Sequence, residues 1–238
     1  MKRLSLVLVL VLAAGLLAVL PGAGANAKDE ARPFKAADLK VEINATDGDA
    51  GLQVFLDDEA WKTIKIVNPA GRKILHVKAR GPLKDYGLTE LFSESSEPPF
   101  DEFPLAQFKQ LFPEGDYLFT GRLIDGTKLR SEVPLTHVFP EGPQIVSPQD
   151  GAELARDQVV IRWAPGTTRP GVDIVGYQAL AVAEDGSSKT LSVDLPASAR
   201  RLPVPGEFLQ PHTEYKAEVL AIETSGNQTL TEVTFTVG

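Results

Sequence analysis

Carboxylates are the most numerous groups in this sequence that could do chemistry, and two clusters of them flank one predicted strand. Asp47-Gly48-Asp49 precedes the strand at 51–56, and Asp57-Asp58-Glu59 follows it. Oxygen ligands of this kind bind calcium, but the Asp-x-Asp-x-Asp-Gly spacing with a distal glutamate is missing. The simpler interpretation is two acidic turns. A calcium site is the alternative hypothesis, which a Ca²⁺-dependent shift in melting temperature would reveal.

Catalytic and cofactor chemistry finds little support elsewhere in the sequence. The three histidines, His76, His137 and His212, lie in different segments and lack the spacing of metal ligands. No His-Glu-x-x-His, Gly-x-Ser-x-Gly or glycine-rich phosphate loop is present. There is no cysteine, which excludes disulfides, thiolate metal sites and a cysteine nucleophile. The sequence therefore predicts a protein that is not an enzyme and needs no cofactor and no metal.

Aromatic side chains are the remaining candidates for a binding surface. Trp61 follows three acidic residues and opens a predicted strand, while Phe100 and Phe103 lie among acids and prolines. Exposed aromatic residues mark interaction surfaces, so these three residues are the predicted partner contacts. The alternatives are that Trp61 packs in the core or at a strand edge, and that both phenylalanine rings lie beneath their loop.

The overall charge argues against one class of partner. The chain carries 24 basic and 32 acidic residues, a formal charge of −8. Phosphate binding requires a basic face, so nucleic acid is not expected as a partner. Hydrophobic residues make up 43% of the chain, which is ordinary for a folded protein.

The first 27 residues have the three parts of a secretory signal peptide. Lys2 and Arg3 precede an apolar run over 4–20, and Ala25-Asn26-Ala27 forms a small-residue cleavage site. An uncleaved membrane anchor is the rival interpretation, but the run is short for a span. We expect cleavage after Ala27, export to the periplasm or the medium, and no membrane span in the mature chain.

The rest of the chain predicts an all-β protein. Short segments alternate apolar and polar residues, as in Leu39-Lys40-Val41-Glu42-Ile43, and turn residues such as Asp125-Gly126 separate them. Such alternation places one strand face on a core and the other in water. A stretch with three prolines at 139–150 predicts a stiff connector between two domains, residues 28–140 and residues 143–238.

The second half resembles a fibronectin type III domain. Val160-Ile161-Arg162-Trp163-Ala164-Pro165 is similar to the family's second strand, whose tryptophan fills the sandwich core. Leu209-Gln210-Pro211-His212-Thr213-Glu214-Tyr215 matches the family's tyrosine corner, in which the hydroxyl bonds to the backbone upstream. The resemblance implies an antiparallel β-sandwich over 143–238, with Trp163 as a structural residue.

The first half repeats part of this pattern. Leu111, Pro113 and Tyr117 have the spacing of the later corner, and the two corner tyrosines are 98 residues apart, the length of one domain. We therefore expect a divergent immunoglobulin-like or fibronectin-like sandwich here. The segment 83–110 reads as an acidic insertion, with Pro104 beginning one or two helical turns up to Leu111.

Three functions fit this organisation. The leading one is an exported, non-catalytic interaction or spacer protein that binds a protein partner through loops or sheet edges, as the family resemblance implies. A module that binds cell-wall glycan or exopolysaccharide is the second, and depends on Trp61 and the aromatic segment. A two-domain periplasmic chaperone is the third; it needs a long donated strand, whereas Pro134 interrupts the segment at 133–139.

Overall fold

The computed structural model describes residues 30–167 and 169–238. The predicted signal peptide at 1–27 lies outside the described residues. The strands are β1 Ala36–Asn44, β2 Asp49–Val67, β3 Lys73–Lys78, β4 Leu88–Glu94, β5 Gly115–Leu123, β6 Lys128–Leu135, β7 Gln144–Ser147, β8 Ala152–Leu154, β9 Val160–Ala164, β10 Ile174–Ala183, β11 Thr190–Pro196, β12 Arg201–Pro203, β13 Thr213–Glu223 and β14 Gln228–Val237. The helices are α1 Pro82–Tyr86 and α2 Leu105–Leu111. The prediction of an all-β fold with packed antiparallel sheets is confirmed.

Strand β2 organises the first half because it belongs to two layers. Its first part pairs with β1 on one side and β4 on the other, and its second part pairs with β3 and β5. The pairing with β4 shifts register between Asp57 and Trp61, where the strand passes from one layer to the other. Strand β6 extends the second layer beside β5. The alternating inward side chains of both layers form one apolar core.

The core of the first half is built around Trp61 and Tyr117, both with no exposed surface. It draws on every strand from β1 to β6 and on Phe108 of α2. The predicted helical turns after Pro104 are present as α2, and Phe108 is the residue that anchors them to the core.

The segment 83–110, which the composition predicts as an acidic insertion, contains strand β4 and most of helix α2. Within it, β4 pairs with β2 from Gln53↔Glu94 to Trp61↔Leu88. The alternation of β4 is hard to recognise because polar residues fill most of its positions, and its core contacts come from Leu88 and Leu91. The acidic and serine-rich composition belongs to the outward positions of an edge strand and to the loop that follows it.

The second half packs two sheets around Trp163. Strands β11, β10, β13 and β14 form one sheet, with β8 added beside β14, and β7, β9 and β12 form the other. The Trp163 and Tyr177 rings lie 5.5 Å apart between the sheets. This is the arrangement that the fibronectin type III resemblance implies for these residues.

The two halves share one sheet, a feature that the sequence did not predict. Strand β14 pairs in parallel with β1 over Glu42↔Gln228, Ile43↔Thr229 and Asn44↔Leu230. The sheet consequently continues from β11 at one end to β6 at the other. The proline-rich connector at 139–150 is therefore not the sole link between the two cores. Within the described part of the chain, no helix has the length and apolar character needed to cross a membrane.

Candidate functional site

The most highly organised polar region lies at the seam, which we define as the junction of β1 with β14 and with residues 136–142. These residues overlap the start of the proline-rich stretch at 139–150, and from here on we include them in the connector. Asn227 is the central residue of the seam and is 1% exposed. Its Oδ1 accepts a hydrogen bond from the Val41 amide at 2.8 Å. Its Nδ2 donates to the carbonyls of Thr136 at 3.0 Å and Val138 at 2.9 Å. One side chain of the second half thus binds the first half and the connector together.

Further hydrogen bonds hold the connector and the end of β1 against β14. The Thr229 hydroxyl donates to the Pro140 carbonyl at 2.7 Å, and the Ala45 amide donates to the Leu230 carbonyl at 2.9 Å. Gly142 lies so close to Thr231 and Ala45 that a side chain at this position would overlap them. A larger residue at this position would displace the Thr231 hydroxyl, so the close approach of the connector to β14 favours glycine.

A half-buried carboxylate, that of Glu42, lies beside the seam. Gln53 Nε2 donates to Glu42 Oε2 at 3.0 Å and to Glu94 Oε1 at 2.7 Å, and Gln228 Nε2 also donates to Glu42. Burial raises the pKa of Glu42, and these amide hydrogen bonds oppose that rise. Lys40 donates to Gln228 Oε1 at 3.1 Å, and burial lowers the pKa of its ammonium group.

Glu42, Glu94 and Glu97 are the one set of described residues whose carboxylate oxygens converge, lying within 4.8 Å of one another. Gly51 is opposite Glu42 on β2, and the absence of a side chain there leaves room for the Glu97 carboxylate. The donor set is of the type that hard divalent cations prefer. This group differs from both acidic turns that the sequence singled out.

The second predicted acidic turn, Asp57-Asp58-Glu59, is part of strand β2 and is not a turn; Asp58 and Glu59 bind internal cations and amides. Arg32 contacts both carboxylate oxygens of Asp58, and Lys35 contacts Glu59. The Asp58 side chain is fully buried, and its pKa is lowered because the Arg32 and backbone hydrogen bonds outweigh the effect of burial. The Asp57–Glu59 cluster therefore closes the first half against its N-terminal segment instead of converging on a common centre.

The predicted partner contacts do not form one surface. Trp61 has no exposed surface and lies in the first core, so its prediction as a contact residue is wrong; the alternative, core packing, describes its place. Trp61 is buried because β2 passes from one layer to the other at this residue, which places the indole ring in the core between the layers. Phe100 and Phe103 are partly buried and pack against the same core, and the Phe100 amide donates to the Gly48 carbonyl at 2.7 Å.

The histidines remain separate in the fold. His76 is on β3, His212 is at the second tyrosine corner, and His137 is in the connector, where its Nε2 lies 2.9 Å from the Phe112 carbonyl oxygen. Each is held by a different part of the structure. The sequence pattern did not identify the seam residues Asn227 and Gln228 as functional. Residue spacing within one β-hairpin carries no information about side-chain hydrogen bonds to a strand that is distant along the chain.

Comparison with known proteins gives similarity of fold only. No family model matches the chain, and no curated protein matches it. Among solved structures, a segment of two fibronectin type III domains from chicken tenascin is 13% identical, with 83% of this chain and 96% of that chain covered and a TM-score of 0.30. The FN1–FN3 domains of chicken CNTN1 are 11% identical, with 87% and 66% covered and a TM-score of 0.32. The sandwich assignment itself stands on the strand pairing and the two packed cores.

Proposed function

We propose that the chain is an exported, non-catalytic interaction and spacer protein, in which two sandwiches hold their surfaces in a fixed relative orientation for a protein partner. The observation that carries this proposal is the seam. Asn227, directly before β14, is joined to Val41 of β1 and to Thr136 and Val138 of the connector by hydrogen bonds at 2.8–3.0 Å. Tandem domains that are joined only by a linker share no sheet, and motion between such domains is expected.

Export and processing are part of the proposal and are supported by the sequence pattern at 1–27. The partner is proposed to be a protein. The glycan alternative depended on Trp61, and the burial of that residue removes its main support.

The rigidity of the seam can be measured by the distance between two spin labels. The chain has no cysteine, so Lys78→Cys on β3 and Glu207→Cys in the second half provide two unique attachment sites. Both positions are exposed. We expect a narrow distance distribution in the wild-type background and a clearly broader one after Asn227→Ala. The matched control is Gln149→Ala, which removes a hydrogen bond inside the second half at 2.8 Å and should leave the distribution narrow. Equally broad distributions in all three proteins would refute the spacer proposal.

The partner can be sought by crosslinking in the host cell with a tag at the carboxyl terminus. One dominant envelope protein, recovered reproducibly, would support the interaction role. Recovery of glycan alone would favour the polysaccharide-binding alternative.

A further inference from the structure

Basic residues are concentrated in one segment of an otherwise acidic chain. The whole chain has a formal charge of −8, yet residues 62–84 contain no aspartate or glutamate. Their basic side chains are those of Lys62, Lys65, Arg72, Lys73, Lys78, Arg80 and Lys84. None of these side chains forms an ion pair with a carboxylate in the described part of the chain. The end of β2, all of β3 and the start of α1 thus carry positive charge that the protein itself does not neutralise.

Strand β3, in the middle of this segment, has an open edge. Among the described strands it pairs with β2 alone. The Ala79 amide donates to the Lys62 carbonyl at 2.9 Å, so Ala79 directs its backbone groups toward β2. Backbone direction alternates along an antiparallel edge strand, and His76 and Lys78 therefore direct their amides and carbonyls away from the sheet. These groups form a template for one further strand.

The solvent face beside this edge is basic. His76 lies opposite Lys65, and Lys78 lies opposite Thr63. Arg122 of β5 lies opposite Thr63 on its other side and so belongs to the same face. The side chains of His76, Lys65, Lys78 and Arg122 are all exposed. A strand added beside β3 would therefore place every second side chain next to positive charge.

The opposite face of β3 is apolar. Leu75 and Val77 lie opposite Ile66 and Ile64, which are fully buried in the first core. Leu75 and Val77 themselves are only partly buried against that core, because no described strand flanks them on the open side. The alternate side chains of an added strand would cover this apolar surface. The edge is therefore complementary to a strand that alternates acidic and apolar residues.

A protein strand fits this edge better than the other anionic partners. Lipid head groups and nucleic acid supply negative charge, but they offer no amides and carbonyls at the repeat of a strand. A second copy of β3 would bring lysine against lysine, and edge lysines deter pairing of this kind. The same charges attract a strand of opposite sign.

We propose that the open edge of β3, with Lys65 and Lys78 beside it, receives an extended segment of a protein partner in which acidic and apolar residues alternate. The segment adds antiparallel to β3, as β2, β5 and β6 already pair within this layer. The inference rests on the proposed interaction function and specifies its surface and the chemistry of the partner. Backbone hydrogen bonds supply affinity, and the charges set the register of the added strand.

The charge requirement is tested with a synthetic peptide of alternating glutamate and valine and a matched peptide of alternating lysine and valine. We expect the glutamate peptide to bind the purified mature protein and the lysine peptide not to bind. Lys65→Glu combined with Lys78→Glu should weaken binding of the glutamate peptide about tenfold or more, because like charges then face each other. The matched control, Arg156→Glu combined with Arg201→Glu, reverses two exposed charges in the second half and should leave binding nearly unchanged.

The strand geometry is tested on the wild-type protein with methylated peptides. Directly opposite residues share a face, so the glutamates lie opposite His76 and Lys78 and their amides point toward β3. Methylation of the glutamate amides should abolish binding, whereas methylation of the valine amides, which point to solvent, should preserve it. Binding of the unmethylated peptide should also slow hydrogen exchange at the His76 and Lys78 amides.

Several results would overturn the inference. They are equal binding of the glutamate and lysine peptides, equal effects of the two methylation patterns, and slowed exchange elsewhere but not in β3. Binding of phosphatidylglycerol vesicles through Lys65 and Lys78 without binding of the glutamate peptide would also overturn it. Crosslinking in the host separates this inference from the proposed function. If the double lysine variant captures the same protein as the wild type and equally well, the edge inference fails while the interaction function stands; if the wild type captures no protein, the interaction function itself fails.

Discussion

Glu218 shows how the buried position of a single residue determines its charge. The side chain lies among aliphatic residues on β13, and burial, reinforced by Glu232, raises its pKa to about 8. The folded state therefore holds a proton on Glu218 between pH 4.5 and about 8, while the unfolded state releases it. Because the folded state binds more protons in this window, stability falls as pH rises through it.

Replacing the carboxyl by a neutral amide should remove this dependence. We expect Glu218→Gln to be more stable than wild type at pH 9, by roughly 1–3 kcal/mol, and to differ little at pH 4. Urea unfolding at a series of pH values checks this. Glu207→Gln should reproduce the wild-type curve, and a Glu218→Gln curve parallel to wild type would contradict the assignment.

Asp58, on β2 of the first half, shows the opposite dependence of stability on pH. Arg32 and the amides of Lys35 and Glu59 donate to its carboxylate, so its pKa is lowered overall. The stability that it provides is present above its unfolded pKa and is lost as pH falls through its folded pKa. Asp58→Asn should cost about 1–3 kcal/mol at neutral pH, because it leaves buried donors without a full complement of acceptors.

Thermal unfolding at pH 7 and again at low pH measures this effect. The difference between Asp58→Asn and wild type should shrink in acid, where both carry a neutral side chain. Glu59→Gln, which alters an exposed pair with Lys35, is the matched control. An undiminished difference in acid would exclude the ion pair as the cause.

At the scale of elements, the two tyrosine corners are built with opposite hydrogen-bond polarity. The Tyr117 hydroxyl donates to the Pro113 carbonyl at 3.0 Å, and burial raises the pKa of Tyr117 to about 12. The Tyr215 hydroxyl instead accepts from the Gln210 amide at 2.8 Å. Each corner fixes the start of a late strand, β5 in the first half and β13 in the second.

Removing the hydroxyl of Tyr215 should therefore lower the free energy of unfolding more than removing that of Tyr117. Tyr215→Phe leaves an amide donor unpaired and should cost about 1–3 kcal/mol, while Tyr117→Phe leaves a carbonyl and should cost about 0.5–1.5 kcal/mol. Chemical denaturation of the two variants measures the difference. The ordering would be contradicted if Tyr117→Phe were the more destabilised.

The whole molecule should unfold as one cooperative unit because the sheet runs through both halves. Asn227 contributes four hydrogen bonds across the seam, while the two large cores share no residue. We expect a single calorimetric transition in the wild type. Asn227→Ala should separate it into two transitions, since each core then unfolds with less support from the other.

Gln149→Ala serves as the calorimetric control, because the Gln149 bond to the Val146 carbonyl lies within the second half. It should lower the melting temperature slightly and preserve one transition. Two transitions already present in the wild type would show that the seam does not couple the halves.

Much of the local structure could be predicted from the sequence. Alternation identified β1, β9, β13 and β14, because a strand with one buried face has a period of two. The residues Trp163 and Tyr215 took the core and corner positions that the family resemblance implies. Such features depend on neighbours along the chain, and so they are visible in a single sequence.

The pairing of strand β4 and the burial of Trp61 were harder to predict from the sequence. The polar residues of β4 obscure its apolar–polar alternation. The burial of Trp61 follows from the change of layer in β2, a strand that pairs with four other strands. The composition of a segment can be read from its own residues, whereas the burial of a side chain depends on the other segments that pack against it.

The sequence by itself determined the all-β class, the two tyrosine corners, the exclusion of cysteine chemistry and the expectation of export. Only the tertiary structure decided that Asn227 joins the two halves, that Glu42, Glu94 and Glu97 converge, and that Glu218 is buried beside a second apolar face. The physical reason is distance along the chain. Val41 and Asn227 are 186 residues apart, and a contact at that separation depends on how the whole chain folds, whereas an alternating strand depends only on its own residues.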